Sequence, residues 1–470
     1  MDLTQLDLSF NDLSGSFEMD KLSKLSKLET LDLSDNPFLS LSSASSSVNY
    51  SLPSLASLIR LDLSYNRIRV VNADMLVKLN SLQILDLSHS SPLYQSNNNN
   101  LTLVLPNLVS LSMSSCNITE FSNFLTTQEK PLLLPPPRVS VLLISQNRLP
   151  GEIPPSICNM YNSEEDVILD LSHNNLSGAI PRCMGQAIFS VLDLQMNHLH
   201  GNIPDFRVEE DYMLQTLNLN NNDFDGPLPK SLVNCHHLEV LNFGNNKIND
   251  AFPDWLGTLP QLQVLVLRSS YFHCQLTHSE NGSHFSTLRI LDISHNEFSG
   301  FLSTTYFKSF QGMMSLADNQ MRYMEDYDSY YRDSHGCHNE SWRPHFSQLT
   351  GLNFLEVLNL SENQLVGLIP QGKQFNTFLN NSYVGNTGLC RFPVSKSCGH
   401  SESPARGSYE HEDDSAFRLN WKFLMMGYGC GMVFGFSAGY IMMTIRKPTC
   451  LVGVIQGAGN RVLSRFKKYR

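Results

Sequence analysis

The chain has 470 residues, of which 41% are hydrophobic and 16% are charged, so it can bury a substantial core. Its net charge is −11, but the residues after Ile445 carry seven basic and no acidic side chains, which leaves −18 on residues 1–445. An acidic body with a basic tail argues against nucleic acid as the main partner.

The N-terminus lacks the pattern of a cleavable signal peptide. Between Met1 and Leu6 no basic segment precedes an apolar one. The sequence therefore predicts no secretory leader at this end, which conflicts with the extracellular interpretation developed below.

A motif of the form Leu-x-x-Leu-x-Leu-x-x-Asn-x-Leu recurs along the chain and begins at Leu3. Most intervals are 23–27 residues, and two of about 30 contain a Ser-rich stretch at 40–51 and a Pro-rich stretch at 131–137. The Asn position falls at Asn11, Asn36, Asn66, Asn147, Asn174, Asn197, Asn222, Asn246, Asn296 and Asn363, and Ser90, Cys116 and Ser270 fill it in three further copies.

The motif predicts one short strand per repeat. Its two central leucines point inward, while the residues between and just after them point outward. One repeat cannot bury its apolar side alone, so the copies are expected to stack around a shared core. The Asn side chain is expected to turn inward and to bond backbone groups at the buried turn.

Seven aspartates occupy the outward position between the two leucines: Asp7, Asp32, Asp62, Asp86, Asp170, Asp193 and Asp292. Neighbouring strands lie about 5 Å apart, which raises the question of a glycosidase carboxylate pair. Because the aspartate recurs without singling out one pair, we interpret it as a repeat feature. No metalloprotease, serine-hydrolase or phosphate-loop motif occurs, and we predict no catalytic residue.

Outward positions that vary between repeats are the candidates for ligand binding, since solenoids offer extended concave surfaces to partners. Simple solvent exposure is the alternative at each position. We expect a peptide or protein ligand to contact some of Tyr65, His89, Gln146, His173, Met196, Asn221, Asn245, Arg268 and His295.

The outer half of several repeats follows the pattern Leu-x-Gly-x-Ile-Pro, as at 149–154, 176–181, 199–204 and 365–370. With this signature the array resembles the plant-type leucine-rich repeat of receptor kinases, receptor-like proteins and polygalacturonase inhibitors. The resemblance implies an α/β leucine-rich-repeat solenoid with short parallel strands on its concave face. About twelve repeats fall in residues 1–302, and no cofactor is implied.

The repeat pattern is interrupted for 67 residues between Asn296 and Asn363. Residues 303–349 resemble the loop-out island of plant receptor-like proteins, and residues 350–372 form a final repeat. In that family the repeats after the island dock a co-receptor kinase, which is therefore a candidate partner. The island contains four residues of types that can bind zinc: His335, Cys337, His338 and His345. Their spacing along the sequence matches no standard zinc pattern, so we predict a polar loop and no metal site.

Residues 373–400 closely resemble the C-terminal cap of receptor-like proteins. The carrying pattern is Asn-Asn-Ser-Tyr-x-Gly-Asn at 380–386, followed by Cys390 and Cys398. The resemblance implies a disulfide between Cys390 and Cys398 that covers the end of the core. No matching N-terminal cap precedes Met1, so we interpret the chain as an N-terminally shortened family member or a truncated gene model.

Residues 423–445 are 23 residues without charge, about 34 Å as a helix, against about 30 Å for a bilayer core. An acidic segment at 401–422 precedes them and the basic tail 446–470 follows, so the repeats are predicted outside the cell and the tail in the cytoplasm. In receptor-like proteins, glycines at every fourth position of the membrane helix are thought to bind the helix of an adaptor receptor kinase. The alternative explanation is that glycine is simply common in membrane helices. The smooth stripe here consists of Gly427, Gly431, Gly435 and Gly439.

The tail has 25 residues and no kinase motif, so any signal is expected to pass through a partner. Its end, with Lys467 and Lys468, matches an endoplasmic-reticulum retrieval signal. Alternatively, these lysines only contribute to the positive charge that is usual on the cytoplasmic side of a membrane helix. Cys450 is a candidate for palmitoylation.

Eight glycosylation sequons suit a protein of the secretory pathway; they begin at Asn49, Asn100, Asn117, Asn175, Asn281, Asn339, Asn359 and Asn380. Cys158, Cys183 and Cys235 lie beside apolar residues in outer segments and are predicted to be buried free thiols.

Over nearly its whole length the chain is identified as a member of the plant leucine-rich-repeat receptor-like proteins, nearest the Cf-type disease-resistance group. The resemblance implies a plasma-membrane receptor, without enzyme activity, that senses an extracellular peptide, protein or elicitor and signals through an adaptor receptor kinase. A developmental receptor of the CLAVATA type and a non-signalling remnant are the alternatives. The predicted membrane helix disfavours a soluble polygalacturonase inhibitor.

Overall fold

A computed structural model of the chain divides into two units, Met1–Gly399 and His400–Arg470. All described residues lie in the first unit, and the predicted island, membrane span and tail lie outside them. Among the described residues, no helix combines the length and apolar character needed to cross a bilayer. The described residues are 3–17, 22, 24–41, 55–66, 70–72, 76, 79–90, 93–95, 105–119, 139–160, 167–206, 213–276, 285–302, 357–371, 375–396 and 398.

Short parallel strands form one long sheet in sequence order, one strand per repeat, which confirms the predicted solenoid. The motif leucines align across it, as where Leu61 pairs with Leu31 on one side and with Leu85 on the other. The strands are Gln5–Asp7, Thr30–Asp32, Arg60–Asp62, Ile84–Asp86, Ser110–Ser112, Val141–Leu143, Val167–Asp170, Phe189–Asp193, Thr216–Asn218, Val240–Asn242, Val264–Val266, Ile290–Asp292 and Val357–Asn359.

The two central leucines of each strand motif point into one continuous core. Leu61 and Leu63 are both fully buried in it. Asp62, between them, points to the opposite side of the sheet. We call that side, where side chains point away from the core, the open face. It corresponds to the concave face expected from the sequence.

The outer segments contain short strands and 3-10 helices. The helices are 3-10 rather than the α-helices of an α/β class because only a few residues are available between turns. The outer strands are Ser14–Phe17, Phe38–Leu41, Val70–Asn72, Leu93–Gln95, Pro150–Glu152, Asn175–Gly178, His198–Gly201, Asp223–Phe224, Ser299–Phe301, Gln364–Leu368 and Gly388–Cys390. The helices are Pro155–Met160, Arg182–Gln186, Lys230–Asn234, Asp254–Thr258, Phe375–Thr377 and Asn380–Ser382.

Buried asparagines fasten each coil to the one before it. Asn197 Nδ2 donates to the carbonyl oxygens of Leu171 (3.0 Å) and Leu194 (3.1 Å), and its Oδ1 accepts from the backbone N–H of Leu176 (3.0 Å). Because Leu171 and Leu176 belong to the preceding repeat, one amide joins two coils. We call this series the asparagine ladder, and it includes Asn36, Asn66, Asn147, Asn174, Asn222, Asn246, Asn296 and Asn363.

Smaller side chains replace the asparagine with fewer bonds. Ser90 Oγ donates to the carbonyl oxygen of Leu63 (3.3 Å), and Cys116 Sγ donates to that of Leu87 (3.0 Å). Ser270 Oγ is buried and has no hydrogen-bond partner among the described residues. The turns at these three places therefore depend more heavily on the neighbouring asparagines.

The asparagine ladder continues into the cap, which the sequence analysis missed. Asn386 Nδ2 donates to the carbonyl oxygens of Leu360 (2.8 Å) and Tyr383 (3.0 Å), and its Oδ1 accepts from the N–H of Leu365 (3.0 Å). The fully buried Tyr383 takes the place of a strand leucine. The cap thus begins as one more coil, and its 23-residue spacing from Asn363 is the signal that could have revealed it.

Two disulfides lie in the described part of the chain. Cys390 and Cys398, the pair implied by the family resemblance, are joined in the cap. Cys158 and Cys183 are also joined, with their Cα atoms 6.0 Å apart, so the prediction of free thiols is wrong for both. They occupy 3-10 helices of successive repeats, and stacking brings them within bonding reach. Cys235 is buried and free, as predicted.

The strand Ile290–Asp292 pairs directly with Val357–Asn359. The long sheet is therefore continuous across the interruption in the repeat pattern. His335, Cys337, His338 and His345, and the rest of the predicted island 303–349, lie outside the described residues.

We predict that Asn197→Ala lowers the free energy of unfolding by about 3 kcal/mol, because it leaves the buried Leu176 N–H and two carbonyls without their partner. The exposed Asn202, five residues later in the same repeat, makes the matched control, and Asn202→Ala should change stability by less than about 0.5 kcal/mol. Urea unfolding followed by circular dichroism measures both. Equal loss in the two variants would contradict a fastening role for the ladder.

Candidate functional site

On the open face, six of the thirteen strands of the long sheet carry an aspartate and, two residues later, a serine that donates hydrogen bonds to it. Asp62 Oδ1 accepts from both the backbone N–H (3.0 Å) and the hydroxyl (2.7 Å) of Ser64. Each pair closes the turn at the end of its strand, so the recurrent aspartate has a structural role. The same pair of hydrogen bonds forms in Asp7–Ser9, Asp32–Ser34 and Asp292–Ser294.

Crowding on the open face makes several of these carboxyl groups hard to ionise. Burial raises the pKa of Asp86 to about 7, and the carboxylate of Asp62, directly opposite on the neighbouring strand, adds to the shift. Burial likewise raises the pKa of Asp62, Asp170 and Asp193. By contrast, hydrogen bonds from Ser9 lower the pKa of Asp7, which lies on the first strand of the sheet.

Eight of the nine predicted ligand-contacting residues share one backbone position, immediately before the ladder residue. They adopt left-handed φ angles between 53° and 61°: Tyr65, His89, Gln146, His173, Met196, Asn221, Asn245 and His295. Their backbone N–H groups donate to the next repeat, as Tyr65 does to the Ser88 carbonyl (2.9 Å). Arg268 lies one residue earlier, and Ser269 holds the corresponding left-handed position.

Two members of this row stack on each other. The rings of Tyr65 and His89 are nearly parallel, with centroids 4.1 Å apart. Burial lowers the pKa of His89, so its imidazole is held toward the neutral form. The other members of the row line the same face in single file, one per repeat.

Four consecutive repeats depart from the Asp-Ser frame. At the serine position they carry Gln195, Asn220, Gly244 and Arg268, and at the aspartate position Asp193, Asn218, Asn242 and Val266. Elsewhere among the described repeats the serine is kept, from Ser9 to Ser361. The departure from the frame marks this stretch of the open face as different from the rest.

An asparagine-rich surface occupies the N-terminal side of that stretch. Asn245 Nδ2 donates to Asn220 Oδ1 (2.9 Å), and Asn242 Oδ1 accepts from the N–H of Gly244 (3.1 Å). No described residue accepts a hydrogen bond from the side-chain nitrogen of Asn220 or Asn242. None of the four asparagines is fully buried. We call Asn220, Asn221, Asn242 and Asn245 the amide cluster.

An apolar surface occupies the C-terminal side. Val264, Val266 and Ile290 pack against one another on the open face, separate from the main core, with Val240 and Val357 beside them. They cover one another, so Val266 is only 7% exposed, yet it stands where most repeats carry Asp or Asn. We call these five residues the valine cluster.

Gly244 lies where the two clusters meet. A Cβ atom added there would lie 2.8 Å from Arg268 Cγ, 3.1 Å from Asn220 Oδ1 and 3.3 Å from Val266 Cγ1. The missing side chain therefore leaves room for the Arg268 stem beside Val266. The Arg268 guanidinium is 3.9 Å from Asp292, and its side chain is 45% exposed.

Sequence reasoning identified Asn221 and Asn245 but missed Asn220, Asn242 and the valine cluster, because it took nearly all of its candidates from the position before the ladder residue. The signal was available at the other outward positions. Asn242 and Val266 interrupt a column of aspartates, and Gly244 interrupts a column of serines. Comparing every outward position between repeats, rather than one, would have identified the stretch.

Four of the predicted glycosylation sequons fall on described residues. Asn117, Asn175 and Asn380 are exposed. Asn359 lies on a strand of the long sheet, and its Oδ1 accepts from the backbone N–H and hydroxyl of Ser361. Asn49, Asn100, Asn281 and Asn339 lie outside the described residues, as do Gly427, Gly431, Gly435 and Gly439. Where side chains are described, no group of three His, Cys, Asp or Glu residues could hold a metal ion.

Comparison with protein families matches the chain to the leucine-rich repeat. One model, described as Leucine rich repeat, matches residues 39–91 and 213–272. A second model with the same description matches residues 27–48, 138–160, 167–187, 287–309 and 354–373.

Two relatives in Arabidopsis thaliana are similar to more than half of the chain. Receptor-like protein 32 is 37% identical over 57% of this chain and 30% of its own length. Receptor like protein 22 is 31% identical over 79% of this chain and 66% of its own length. The chain thus spans only part of each relative.

A solved structure with the same fold is that of the Arabidopsis receptor kinase HAESA in complex with the peptide hormone IDA and the co-receptor SERK1. The similarity has a TM-score of 0.53 at 21% identity and covers 83% of this chain and 62% of that one. At this level of identity the likeness demonstrates the solenoid fold.

We predict that the first unit gains stability as the pH falls from 8 to 5, and that Asp86→Asn reduces this gain. The folded chain holds the Asp86 proton up to about pH 7, whereas the unfolded chain releases it near pH 4. This contribution is therefore complete below pH 4 and is lost as the pH rises through 7. The lowered pKa of His89 acts in the opposite sense but involves one half-buried ring.

Asparagine already fills the aspartate position at Asn218, Asn242 and Asn359, so Asp86→Asn should fold. Its midpoint of thermal unfolding at pH 8 should exceed that of the wild type. Asp7→Asn, at a carboxyl group with a lowered pKa, should instead lower the midpoint at neutral pH. Parallel pH curves for wild type and Asp86→Asn would rule out this assignment.

Proposed function

The chain belongs to the plant leucine-rich-repeat receptor-like proteins, and from that premise we propose that it is a cell-surface receptor in plant defence. Its open face binds an extracellular peptide or protein, and its membrane helix passes the signal to a partner receptor kinase. A co-receptor kinase joins the complex once the ligand is bound.

The division of the open face into a constant frame and variable positions carries this proposal. The Asp-Ser pairs satisfy their own hydrogen bonds, as Asp62 and Ser64 do, and have little left to offer a ligand. The amide and valine clusters interrupt that frame in adjacent repeats. A surface that varies on a rigid frame is what recognition of a specific partner requires.

A recognition role also agrees with the contacts of the recurrent aspartates. Asp86, Asp170 and Asp62 each accept a hydrogen bond from the backbone N–H two residues later. These aspartates occupy equivalent positions in successive repeats, and their raised pKa values follow from the burial that they share. A glycosidase instead needs one distinct pair with divided acid and base roles.

The two disulfides support an extracellular position for the repeats. Cys158–Cys183 lies between two successive repeats, and Cys390–Cys398 lies in the C-terminal cap. Disulfides persist in the secretory pathway and are rare in the cytosol. The exposed sequons at Asn117, Asn175 and Asn380 agree with the same compartment.

Attachment to the membrane rests on the sequence of residues 423–445. The uncharged stretch is followed by basic residues, which orients the repeats outward. Glycine at every fourth position, including Gly431 and Gly435, gives a groove into which a second helix backbone fits closely.

We predict that Gly431→Leu combined with Gly435→Leu reduces the amount of receptor kinase that co-purifies with the full chain from plant membranes at least fivefold. Leucine fills the groove and separates the two helix backbones. Quantitative mass spectrometry of the purified complex measures the loss.

The control combines Gly429→Leu with Val433→Leu, two replacements at the same spacing. They lie two residues away along the helix, about 200° around it, and should leave recovery unchanged. Unchanged recovery in the Gly431 and Gly435 variant, or equal loss in both variants, would refute pairing through the glycine groove.

A further inference from the structure

Cys274 is an exposed free thiol in an outer segment of the solenoid, four residues after the ladder position at Ser270. Its backbone is left-handed, with φ of 71°, a conformation that costs free energy for any residue with a Cβ atom. Seven other repeats carry a left-handed glycine at the same position: Gly15, Gly151, Gly178, Gly201, Gly226, Gly300 and Gly367. A thiol therefore stands where the repeat itself calls for no side chain.

The thiol is one of three side chains in mutual contact. His273 Nδ1 lies 2.9 Å from Cys274 Sγ, and His273 Nε2 lies 2.9 Å from Asn249 Oδ1. Because a carbonyl oxygen only accepts, Nε2 carries the ring hydrogen and donates it to Asn249. In the neutral ring Nδ1 is then the acceptor, and the Cys274 thiol donates to it. We call Asn249, His273 and Cys274 the thiol triad.

The stacking of repeats holds the thiol triad in place. The His273 N–H donates to the Asp250 carbonyl oxygen of the preceding repeat (3.0 Å), and the Cys274 carbonyl oxygen accepts from the Ser299 N–H of the following one (2.9 Å). Asn249 also belongs to the preceding repeat, so its alignment with His273 follows from the register of the coils. The imidazole is thus already oriented toward the sulfur in the resting protein.

A nucleophile, a base and a group that orients the base form the arrangement that activates a cysteine. The other two free thiols among the described residues, Cys116 and Cys235, are buried. Burial raises the pKa of each to about 12, so both stay protonated and out of reach of reagents. Cys274 differs from them in its exposure and in its histidine neighbour.

Metal binding explains the thiol triad less well than covalent chemistry does. A zinc site needs three or four protein ligands, whereas here one of the three candidate atoms, Asn249 Oδ1, already accepts from His273. In the part of the chain that the structure describes, no group of three His, Cys, Asp or Glu residues could hold a metal ion. The arrangement instead serves proton transfer from sulfur to nitrogen.

We propose that Cys274 is a site of thiol–disulfide exchange, at which a small-molecule disulfide leaves one of its halves bonded to the protein as a mixed disulfide. The site lies in the outer segments, not on the open face. It goes beyond the proposed receptor function and does not depend on it.

The exchange balances without any further reagent. Cys274 Sγ attacks one sulfur of the disulfide while His273 Nδ1 takes the thiol proton. A bond forms between Sγ and the attacked sulfur as the disulfide bond of the small molecule breaks. The proton then passes to the leaving sulfur, which departs as a thiol. Cys274 is oxidised, and the departing half is reduced.

The test uses the full chain in lipid nanodiscs. Brief treatment with a water-soluble phosphine removes small thiols from exposed cysteines, and mass spectrometry checks that Cys158–Cys183 and Cys390–Cys398 stay joined. Bis(2-hydroxyethyl) disulfide, which is uncharged, is then added at pH 7. The rate of mixed-disulfide formation is measured on the peptide that contains each cysteine, and Cys274 should react at least about tenfold faster than Cys116 or Cys235.

Two substitutions test the partners of the thiol. His273→Gln removes the base and should slow the reaction of Cys274 at least about tenfold. Asn249→Leu releases the ring to the other tautomer and should slow it about threefold or more, whereas Asn249→Asp, whose carboxylate accepts the same hydrogen, should restore the rate to within about twofold. This rescue identifies Asn249 as a positioning residue.

The matched control combines Cys274→Gly with Gly15→Cys. It moves the thiol to the same left-handed position of another repeat, where Ser14 replaces the histidine and a Cβ atom added at Gly15 meets nothing within 4 Å. The relocated thiol should react as slowly as Cys274 does in His273→Gln.

A relocated thiol as fast as Cys274 would assign the reactivity to exposure alone and overturn the proposal. Wild-type rates in His273→Gln, or no reaction at Cys274, would overturn it equally. So would a bond from Cys274 to another cysteine of the chain, recovered before the phosphine treatment.

Discussion

The asparagine ladder is the constraint on which the rest of the structure depends. A parallel strand that ends in a buried turn leaves backbone donors and acceptors without partners, and one primary amide satisfies several of them at once. Because Asn197 bonds backbone groups of its own repeat and of the preceding one, each coil is fastened at a fixed register. The outward side chains are thereby held in straight rows, one per repeat.

Fixed rows turn the open face into a surface on which single substitutions stand out. Where the frame is kept, the aspartate and the serine hydrogen-bond each other, as Ser64 does by donating to Asp62. Where it is replaced, no described residue accepts a hydrogen bond from the side-chain nitrogen of Asn242, and Val266 packs against its apolar neighbours. Recognition can therefore evolve by changing outward residues while the ladder and the leucine core keep the stack intact.

Much of the fold follows from spacing alone, since the Asn interval and the Leu-x-Leu strand fix the register of the sheet. The failures have physical reasons. Asn386 was overlooked because Tyr383 fills the core in place of leucine. The bond between Cys158 and Cys183 requires the distance between stacked outer helices, which a linear sequence does not give. The amide and valine clusters form only when neighbouring repeats lie side by side.

The central claim, a fastened solenoid that presents its open face outside the cell, is tested most directly on protein isolated from plant membranes. Mass spectrometry of non-reduced peptides, with thiols blocked at lysis, reports the state of Cys158 and Cys183 together with glycans at Asn117 and Asn175. The account predicts one intact cross-linked peptide joining the two cysteines and glycan on the exposed sequons. Blocked free thiols at both cysteines on an unglycosylated chain would contradict it.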